Sequence, residues 1–394
     1  MRSAPRRVFI LGSTGSIGTA TLEVVRHLRE SGGPDYEVVG LAAGSNAARV
    51  AAQAEAFGVR HVAMSDASSA AALPAGIERF AGDGAATALV ERVARPGDMV
   101  MASIVGAAGI APTLAAIERG CHVARATKET LVAAGAVVRE AVARTGVNLI
   151  PVDSEHSAVF QCLRAGRTSE VARLVLTASG GPFRTWTPER TRDATLAEAL
   201  RHPTWQMGRK VTIDSASLMN KALEVIEAHW LFDLPSTRID AIVHPQSVVH
   251  SFVDFLDGST VAQLSPPSMK LPIQYALTWP ERTAGCSPTI AWDALRTLDF
   301  EPVDHARFPA IGLAKRVIDA GGTAGATFNA ANEAAVEGFV EGRIRFGDIA
   351  AVVEETLDAL PVRPAATLAA VLDADREARA VARERIGERA AAAR

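Results

Sequence analysis

Val8-Phe9-Ile10-Leu11-Gly12-Ser13-Thr14-Gly15-Ser16-Ile17-Gly18 is the stretch on which the fold turns. Four apolar residues suit a short buried strand, the glycines suit a tight turn, and the residues beyond them suit a helix. A turn that opens a helix presents free N–H groups and the positive end of the helix dipole, which favour an anion such as a pyrophosphate. The spacing is G-x-x-G-x-x-G rather than G-x-G-x-x-G, so a glycine-rich turn without a ligand stands as the alternative. Outward from this stretch the same alternation continues to about Val152. Short apolar runs at Val38 to Ala42, Met99 to Ile104, His122 to Ala124 and Asn148 to Ile150 are separated by amphipathic, Ala-rich helical stretches. That rhythm predicts an α/β domain with a Rossmann-like parallel sheet and crossover helices.

The end of the second strand narrows the ligand. An NAD site usually places an acid there to accept from the ribose 2′-hydroxyl. This chain has Ala43-Gly44-Ser45-Asn46 instead, and Glu37 lies at the strand's other end. Ser45, Asn46 and Arg49 admit a 2′-phosphate without like-charge repulsion, so NADP is expected rather than NAD. The competing reading is that Ser45-Asn46 only caps the next helix.

From Val171 to Ala262, strand-like runs at Leu174 to Ala178, Ile239 to His244 and Ser247 to Phe252 mix with a helix from about Leu218 to Phe232, which predicts a central α+β domain. Pro280 to Pro309 reads as a linker. Ala310 to Ala320, Thr327 to Glu341, Phe346 to Leu360 and Leu368 to Ala390 read as four helices, the last running into an Arg/Ala tail. The expected domains are residues 1–152, 153–284 and 310–394, with 285–309 as the link. The 394 residues, 48% hydrophobic and 22% charged, are ordinary globular material. A net charge of -3 with interspersed signs offers no field for nucleic acid, so a small-molecule partner is expected. Cys121, Cys162 and Cys286 fit neither a disulfide framework nor a zinc site, and a reducing, cytoplasmic compartment is expected. Arg2, Arg6 and Arg7 precede an apolar run that Gly12 ends too soon for an export signal. Met99 to Ile117 is interrupted by Gly106, Gly109 and Pro112, so no membrane span is expected.

Other segments carry chemistry. Asp153-Ser154-Glu155-His156 follows the apolar run Val147 to Val152. In extended backbone Asp153 and Glu155 project to one side, where two hard oxygen ligands suit Mg²⁺ or Mn²⁺; a solvated or capping pair is the alternative. Asp214 to Glu224 is expected to open a helix with hydroxyls and an N-cap, an end suited to phosphate. Asn220 and Glu224 share a face there beside Lys221, offering a donor, a metal ligand and a cation, unless Lys221 and Glu224 form a mere surface pair. Ser179-Gly180-Gly181-Pro182 reads as an anion cradle or only a turn. His202 to Arg209, with Trp205 and Gly208, has the composition of a loop that closes over a ligand, or of an ordinary loop.

Taken in order, Gly12 to Gly18, ATKE at Ala126 to Glu129, PVDSEH at Pro151 to His156, SGGPF at Ser179 to Phe183, HPTWQMGRK at His202 to Lys210, DSASLMNKALE at Asp214 to Glu224 and HPQSVVHS at His244 to Ser251 closely resemble the 1-deoxy-D-xylulose 5-phosphate reductoisomerase family. The resemblance spans nearly the whole chain. It implies NADPH, a divalent metal (Mn²⁺, Mg²⁺ or Co²⁺), and a homodimer of V-shaped subunits with a C-terminal four-helix bundle. The implied reaction rearranges 1-deoxy-D-xylulose 5-phosphate and reduces the product to 2-C-methyl-D-erythritol 4-phosphate, in the non-mevalonate isoprenoid pathway. By the same resemblance Asp153, Glu155 and Glu224 hold the metal. Lys128, Ser154, Glu155, Ser179, His202, Trp205, Ser215, Asn220, Lys221 and Glu224 meet the substrate, and Lys128, Asp153, Glu155, His202 and Glu224 are catalytic. Thr14, Gly15, Ser16, Ile17, Gly44, Ser45, Asn46, Thr127, Glu129 and Gly208 meet the cofactor. Two positions depart from the family pattern: Thr127 stands where Asn is usual, and Ser45 where some members carry a basic residue. Two further readings stay open, a simple NADP-dependent dehydrogenase and a non-catalytic nucleotide-binding protein on the same fold.

Overall fold

A computed structural model describes residues 4–392; Arg2 and the last two residues of the Arg/Ala tail lie outside them. The chain runs β1 (Arg6–Leu11), α1 (Ser16–Glu30), β2 (Tyr36–Ala43), α2 (Ala47–Phe57), β3 (His61–Met64), α3 (Ala67–Ala71), β4 (Glu78–Ala81), α4 (Ala85–Val93), β5 (Met99–Ala102), α5 (Ile110–Glu118), β6 (His122–Arg125), α6 (Glu129–Thr145), β7 (Leu149–Pro151) and α7 (Ser154–Cys162). It continues with β8 (Val171–Ala178), α8 (Pro188–Arg192), α9 (Leu196–Ala199), α10 (Arg209–Ala216), α11 (Met219–Phe232), β9 (Ile239–Val243), β10 (Val249–Phe255), β11 (Thr260–Leu264), α12 (Lys270–Thr278), α13 (Ala310–Ala320), α14 (Ala324–Val340), α15 (Asp348–Ala359) and α16 (Leu368–Ala392).

One compact unit comprises residues 1–130, 138–157 and 268–288. Its seven-stranded sheet, in the order β4-β3-β2-β1-β5-β6-β7, is parallel throughout. Val8, Phe9, Ile10 and Leu11 of β1 are essentially inaccessible, as a strand covered on both faces requires. The strand order reverses between β1 and β5, and a crevice at the carboxyl ends of such a pair is where an open α/β sheet binds ligands. The sequence reading missed β3 and β4. β4 is an edge strand with mostly exposed residues, so it carries no apolar run to read. Residues 268–284, expected in the central domain, and 285–288, expected in the link, belong to this unit. The reason is packing against α1 and the start of β2: Lys270 pairs with Glu23 of α1 at 2.7 Å, and the Tyr36 hydroxyl of β2 donates to the carbonyl of Leu277.

The other unit comprises residues 131–137, 158–267 and 289–394. Its four-stranded sheet, ordered β11-β10-β8-β9, is mixed: β10 lies antiparallel to β11 and β8, and β8 parallel to β9. The four expected C-terminal helices are present as α13 to α16. They share one apolar core with the sheet and α11, since Leu174, Leu176, Leu223, Ile226, Phe328, Phe339, Ile349, Val353 and Ile386 all lie in a single buried cluster. Within the expected linker, Glu301 forms an isolated bridge with Val243, and Arg184 pairs with its carboxylate. The fold is thus α/β, with a Rossmann-like parallel sheet, a mixed-sheet domain and a helical C-terminus.

Candidate active site

The loop after β1 is shaped around its glycines. Gly12 has φ +93, and a Cβ on it would meet the carbonyl oxygen of Ser103 at 2.5 Å. A Cβ on Gly18 would meet the Gly12 oxygen at 2.4 Å, so α1 is drawn tight against the turn. Gly15 is the N-cap of α1 and supplies no side-chain cap; Gly15 and Ser16 are exposed. An exposed, uncapped helix start behind a turn that begins and ends in glycine fits a dinucleotide's diphosphate.

At the end of β2, Asn46 Oδ1 accepts from the Arg49 N–H at 3.0 Å, so the capping reading describes this side chain. Ser45 is exposed. The Arg49 guanidinium reaches back to α1, where Nη2 donates to Thr19 Oγ1 at 2.9 Å and sets a positive charge beside the glycine turn.

After β6, Arg125 is fully buried and donates through Nη1 to the Thr127 carbonyl at 2.8 Å, bracing the turn that carries Lys128. Sequence reading did not single out Arg125; its only signal was a charge inside an otherwise apolar run. Thr127 is itself buried, and its hydroxyl donates to the Ile104 carbonyl at 2.8 Å. Glu129 is buried in the first turn of α6.

Lys128 forms an ion pair with Asp153, both side chains being 12% exposed. The backbone at Asp153 is not the extended strand end expected. β7 stops at Pro151, α7 begins at Ser154, and Asp153 caps it: Oδ1 accepts from the Glu155 N–H at 3.2 Å. Asp is among the strongest N-caps, and this local preference overrides continuation of the strand. The Ser154 hydroxyl donates to Glu155 Oε2. His156, fully buried, stands with Nδ1 3.6 Å from Asp153 Oδ1. His156 carries no role of its own in the sequence reading; its i, i+3 spacing from Asp153 is the signal for this contact.

In the mixed-sheet unit, Ser179 follows β8, with Gly180 and Gly181 at φ +82 and +67. Ser179 Oγ accepts from the Gly181 N–H at 3.2 Å and lies 3.0 Å from His202 Nε2. His202 Nδ1 accepts from the N–H groups of Thr204 and Trp205, at 3.1 and 2.8 Å, so the ring proton sits on Nε2 and points to Ser179. Burial pushes the His202 pKa down to about 4. A neutral imidazole therefore donates to Ser179, whose own hydroxyl proton is left for a ligand. A cavity of about 390 Å³ opens beside Ser179, with Arg184, Trp186, Arg201 and Pro203 on its walls. Trp205, half-buried, lies 6.3 Å from the His250 ring. Gly208 is exposed at the N-cap of α10.

The expected helix start at Asp214 is instead a helix end. Asp214 and Ser215 close α10, Leu218 turns the chain with φ +59, and α11 starts at Met219 with no side-chain cap. The segment lacks proline and glycine, so the corner had no marker in the sequence. Downstream the spacing reads true. Asn220 Nδ2 donates to Glu224 Oε1 at 2.6 Å, and Lys221 pairs with Glu224. Lys221 is 3% and Glu224 1% exposed, which excludes the surface-pair alternative.

Asp153, Glu155 and Glu224 each offer a carboxylate oxygen, and these oxygens lie within 4.8 Å of one another. Three hard anionic oxygens at that spacing fit a divalent cation of the Mg²⁺ or Mn²⁺ type.

Comparison with known proteins gives one consistent result. The family model for 1-deoxy-D-xylulose 5-phosphate reductoisomerase matches residues 8–135, and the models of its C-terminal domains match residues 149–232 and 264–381. The 1-deoxy-D-xylulose 5-phosphate reductoisomerase of Chlorobium chlorochromatii is 50% identical over 385 residues, covering 96% of this chain and 99% of that one. That of Nocardia farcinica is also 50% identical over 385 residues, covering 97% and 95%. Among solved structures, the Zymomonas mobilis reductoisomerase in complex with NADPH superposes with a TM-score of 0.90 at 40% identity, covering 97% of this chain and 99% of that one. A reductoisomerase in complex with NADPH, fosmidomycin and magnesium gives 0.90 at 35% identity, covering 97% and 98%.

Proposed function

Because this chain belongs to the 1-deoxy-D-xylulose 5-phosphate reductoisomerase family, we propose that its residues carry out that family's reaction: rearrangement of 1-deoxy-D-xylulose 5-phosphate, then reduction with NADPH to 2-C-methyl-D-erythritol 4-phosphate. The observation that carries the assignment to these residues is the cluster of Asp153, Glu155 and Glu224. Those acids would hold the cation, which when bound polarises adjacent substrate oxygens and offsets negative charge developing on them. The loop from Gly12 to Gly18 would seat the diphosphate of NADPH, the hydride source, and Arg49 would meet its 2′-phosphate. Thr14, Ser16, Ile17, Gly44, Ser45, Asn46, Thr127, Glu129 and Gly208 belong to the same cofactor assignment.

Lys128, paired with Asp153, would place positive charge beside the substrate oxygens. The Ser154 hydroxyl, which donates to Glu155 Oε2, and that carboxylate would pass a proton to or from a substrate hydroxyl. Ser179, Ser215, Asn220 and Lys221 would grip the phosphate. Ser179 donates its hydroxyl proton while neutral His202 holds it in place, and Asn220 keeps a second N–H beyond the one given to Glu224. Anchoring remote from the bonds that change supplies orientation. Trp205 and its loop would exclude water.

NADPH binding is assigned to residues 1–152 and substrate and metal chemistry to 153–284, with 285–309 leading to the helical residues 310–394. A homodimer is part of the proposal; β11, the edge strand of its sheet, has partly buried Val261 and Ala262 and offers a surface for it. No described helix is long and apolar enough to cross a membrane, and a cytoplasmic site of action is proposed with the rest. The test is NADPH oxidation with 1-deoxy-D-xylulose 5-phosphate and Mn²⁺, with the product identified. Formation of 2-C-methyl-D-erythritol 4-phosphate is expected. Oxidation giving an unrearranged alcohol, or none, overturns the assignment.

A further inference from the structure

Asp214 is 1% exposed, yet it is not among the residues assigned to metal, substrate or cofactor. A buried carboxylate needs partners, and it has two from opposite directions. Lys210, one turn earlier on α10 and next to the segment His202 to Arg209, places Nζ 2.9 Å from Oδ2. Asn332, in the middle of α14, donates from Nδ2 to Oδ1 at 2.9 Å. Asn332 is fully buried, and its amide is oriented with the donor toward Asp214. Asp214 immediately precedes Ser215, and the chain then turns at Leu218 into the helix that carries Asn220 and Lys221. The carboxylate thus ties three things together: the base of the Trp205 segment, the corner carrying the proposed phosphate ligands, and a C-terminal helix that supplies none of those ligands.

We propose that Asn332 is a positioning residue for phosphate binding: through its hydrogen bond to Asp214 it fixes the α10–α11 corner so that Ser215, Asn220 and Lys221 converge on one anion. The inference rests on the reading of that corner as the substrate-phosphate site. A side chain that acts by positioning a binding corner changes ground-state affinity more than the chemical step. Asn332→Ala removes the bond and some packing. Asn332→Asp keeps the volume but sets a second carboxylate against Asp214, where like charges repel.

The experiment uses the full-length protein at pH 8, with KM for 1-deoxy-D-xylulose 5-phosphate, kcat, the Kd of inorganic phosphate and the Kd of NADPH measured for wild type, Asn332→Ala, Asn332→Asp and Ser215→Ala. For Asn332→Ala the expected result is a rise of roughly tenfold in KM and phosphate Kd, the scale of one lost hydrogen bond to a charged group, with kcat and NADPH Kd little changed. Asn332→Asp should be at least as impaired. A role confined to packing predicts the reverse order, with isosteric Asp closer to wild type, and that order overturns the proposal, as does a fall in thermal stability with unchanged KM and phosphate Kd. If Asn332→Asp does not fold, Asn332→Ala alone decides by its KM-against-kcat split. Ser215→Ala separates the two layers: if it leaves phosphate binding intact, the phosphate-corner reading fails and the Asn332 proposal with it. If it weakens phosphate binding while Asn332→Ala does not, only the Asn332 proposal fails.

Discussion

Replacing Glu224 by Gln tests the metal assignment at its most telling point, because Glu224 lies far along the chain from Asp153 and Glu155 yet joins them in one cluster. Gln is nearly isosteric and suits a helix interior, so α11 should persist. Its carbonyl can still accept from Asn220, as Glu224 Oε1 now does at 2.6 Å. What disappears is one of three negative charges. A unit charge pair at about 4 Å with an effective dielectric near 20 is worth about 4 kcal/mol. The Lys221 ammonium already offsets part of the carboxylate's charge, so a loss of roughly 3 kcal/mol, or about 100-fold in metal affinity, is the reasonable expectation. The variant also withdraws a buried counter-charge from Lys221, so apo stability should fall by up to about 3 kcal/mol. Calorimetric Mn²⁺ titration should show the weakened affinity directly. Activity at ordinary Mn²⁺ should be nearly lost and partly recovered as Mn²⁺ is raised. Unchanged metal affinity together with normal turnover would falsify the three-carboxylate site.

Three other outcomes are expected. NADPH should be strongly preferred over NADH, and Arg49→Ala should lower kcat/KM for NADPH roughly tenfold, the loss of one charge-assisted contact, while barely touching NADH; equal values for the two cofactors in wild type would sink this reading. Trp205→Ala should weaken binding of substrate and of a phosphonate inhibitor without changing the apo melting temperature by more than a few degrees, and a large loss of thermal stability would identify Trp205 as a core residue instead. His202 should titrate near 4, with its proton on Nε2 above that, when followed by NMR of the ring. Its folded pKa lies below the unfolded value near 6.5, so its contribution to stability is complete above that value and is lost as pH falls toward 4; a ring titrating near 6.5 in the folded protein contradicts the buried, neutral assignment.

Much of the fold was legible because a single signal, the apolar run, marks buried parallel strands. β1, β2, β5, β6 and β7 each carry one, whereas β4 lies at the sheet edge with its side chains in water and carries none. The ligand-bearing residues were legible one by one, since hydroxyls, carboxylates and lysines sit in recognisable spacings. Their backbone setting was less so. At Asp153 the residue type allowed both a strand end and a helix cap, and the outcome depended on competition between the two; the corner at Leu218 rests on a non-glycine left-handed residue and leaves no distinctive residue in the sequence. Likewise the bond from Asn332 to Asp214 joins positions 118 residues apart, which no reading of local pattern reaches.

The two lysine–carboxylate pairs bear on the order in which this protein matures. Three acids gathered closely would repel one another during folding, but Lys128 and Lys221 bring compensating charge of their own. Lys221 and Glu224 sit three residues apart on α11, so that pairing is available as soon as the helix forms. Lys128 meets Asp153 once β6 and β7 have paired in the sheet, Val123 opposite Leu149. The chain therefore reaches a near-balanced charge distribution by folding alone. Two of the counter-charges that the acids need are part of the chain itself, and a bound cation has less repulsion left to offset.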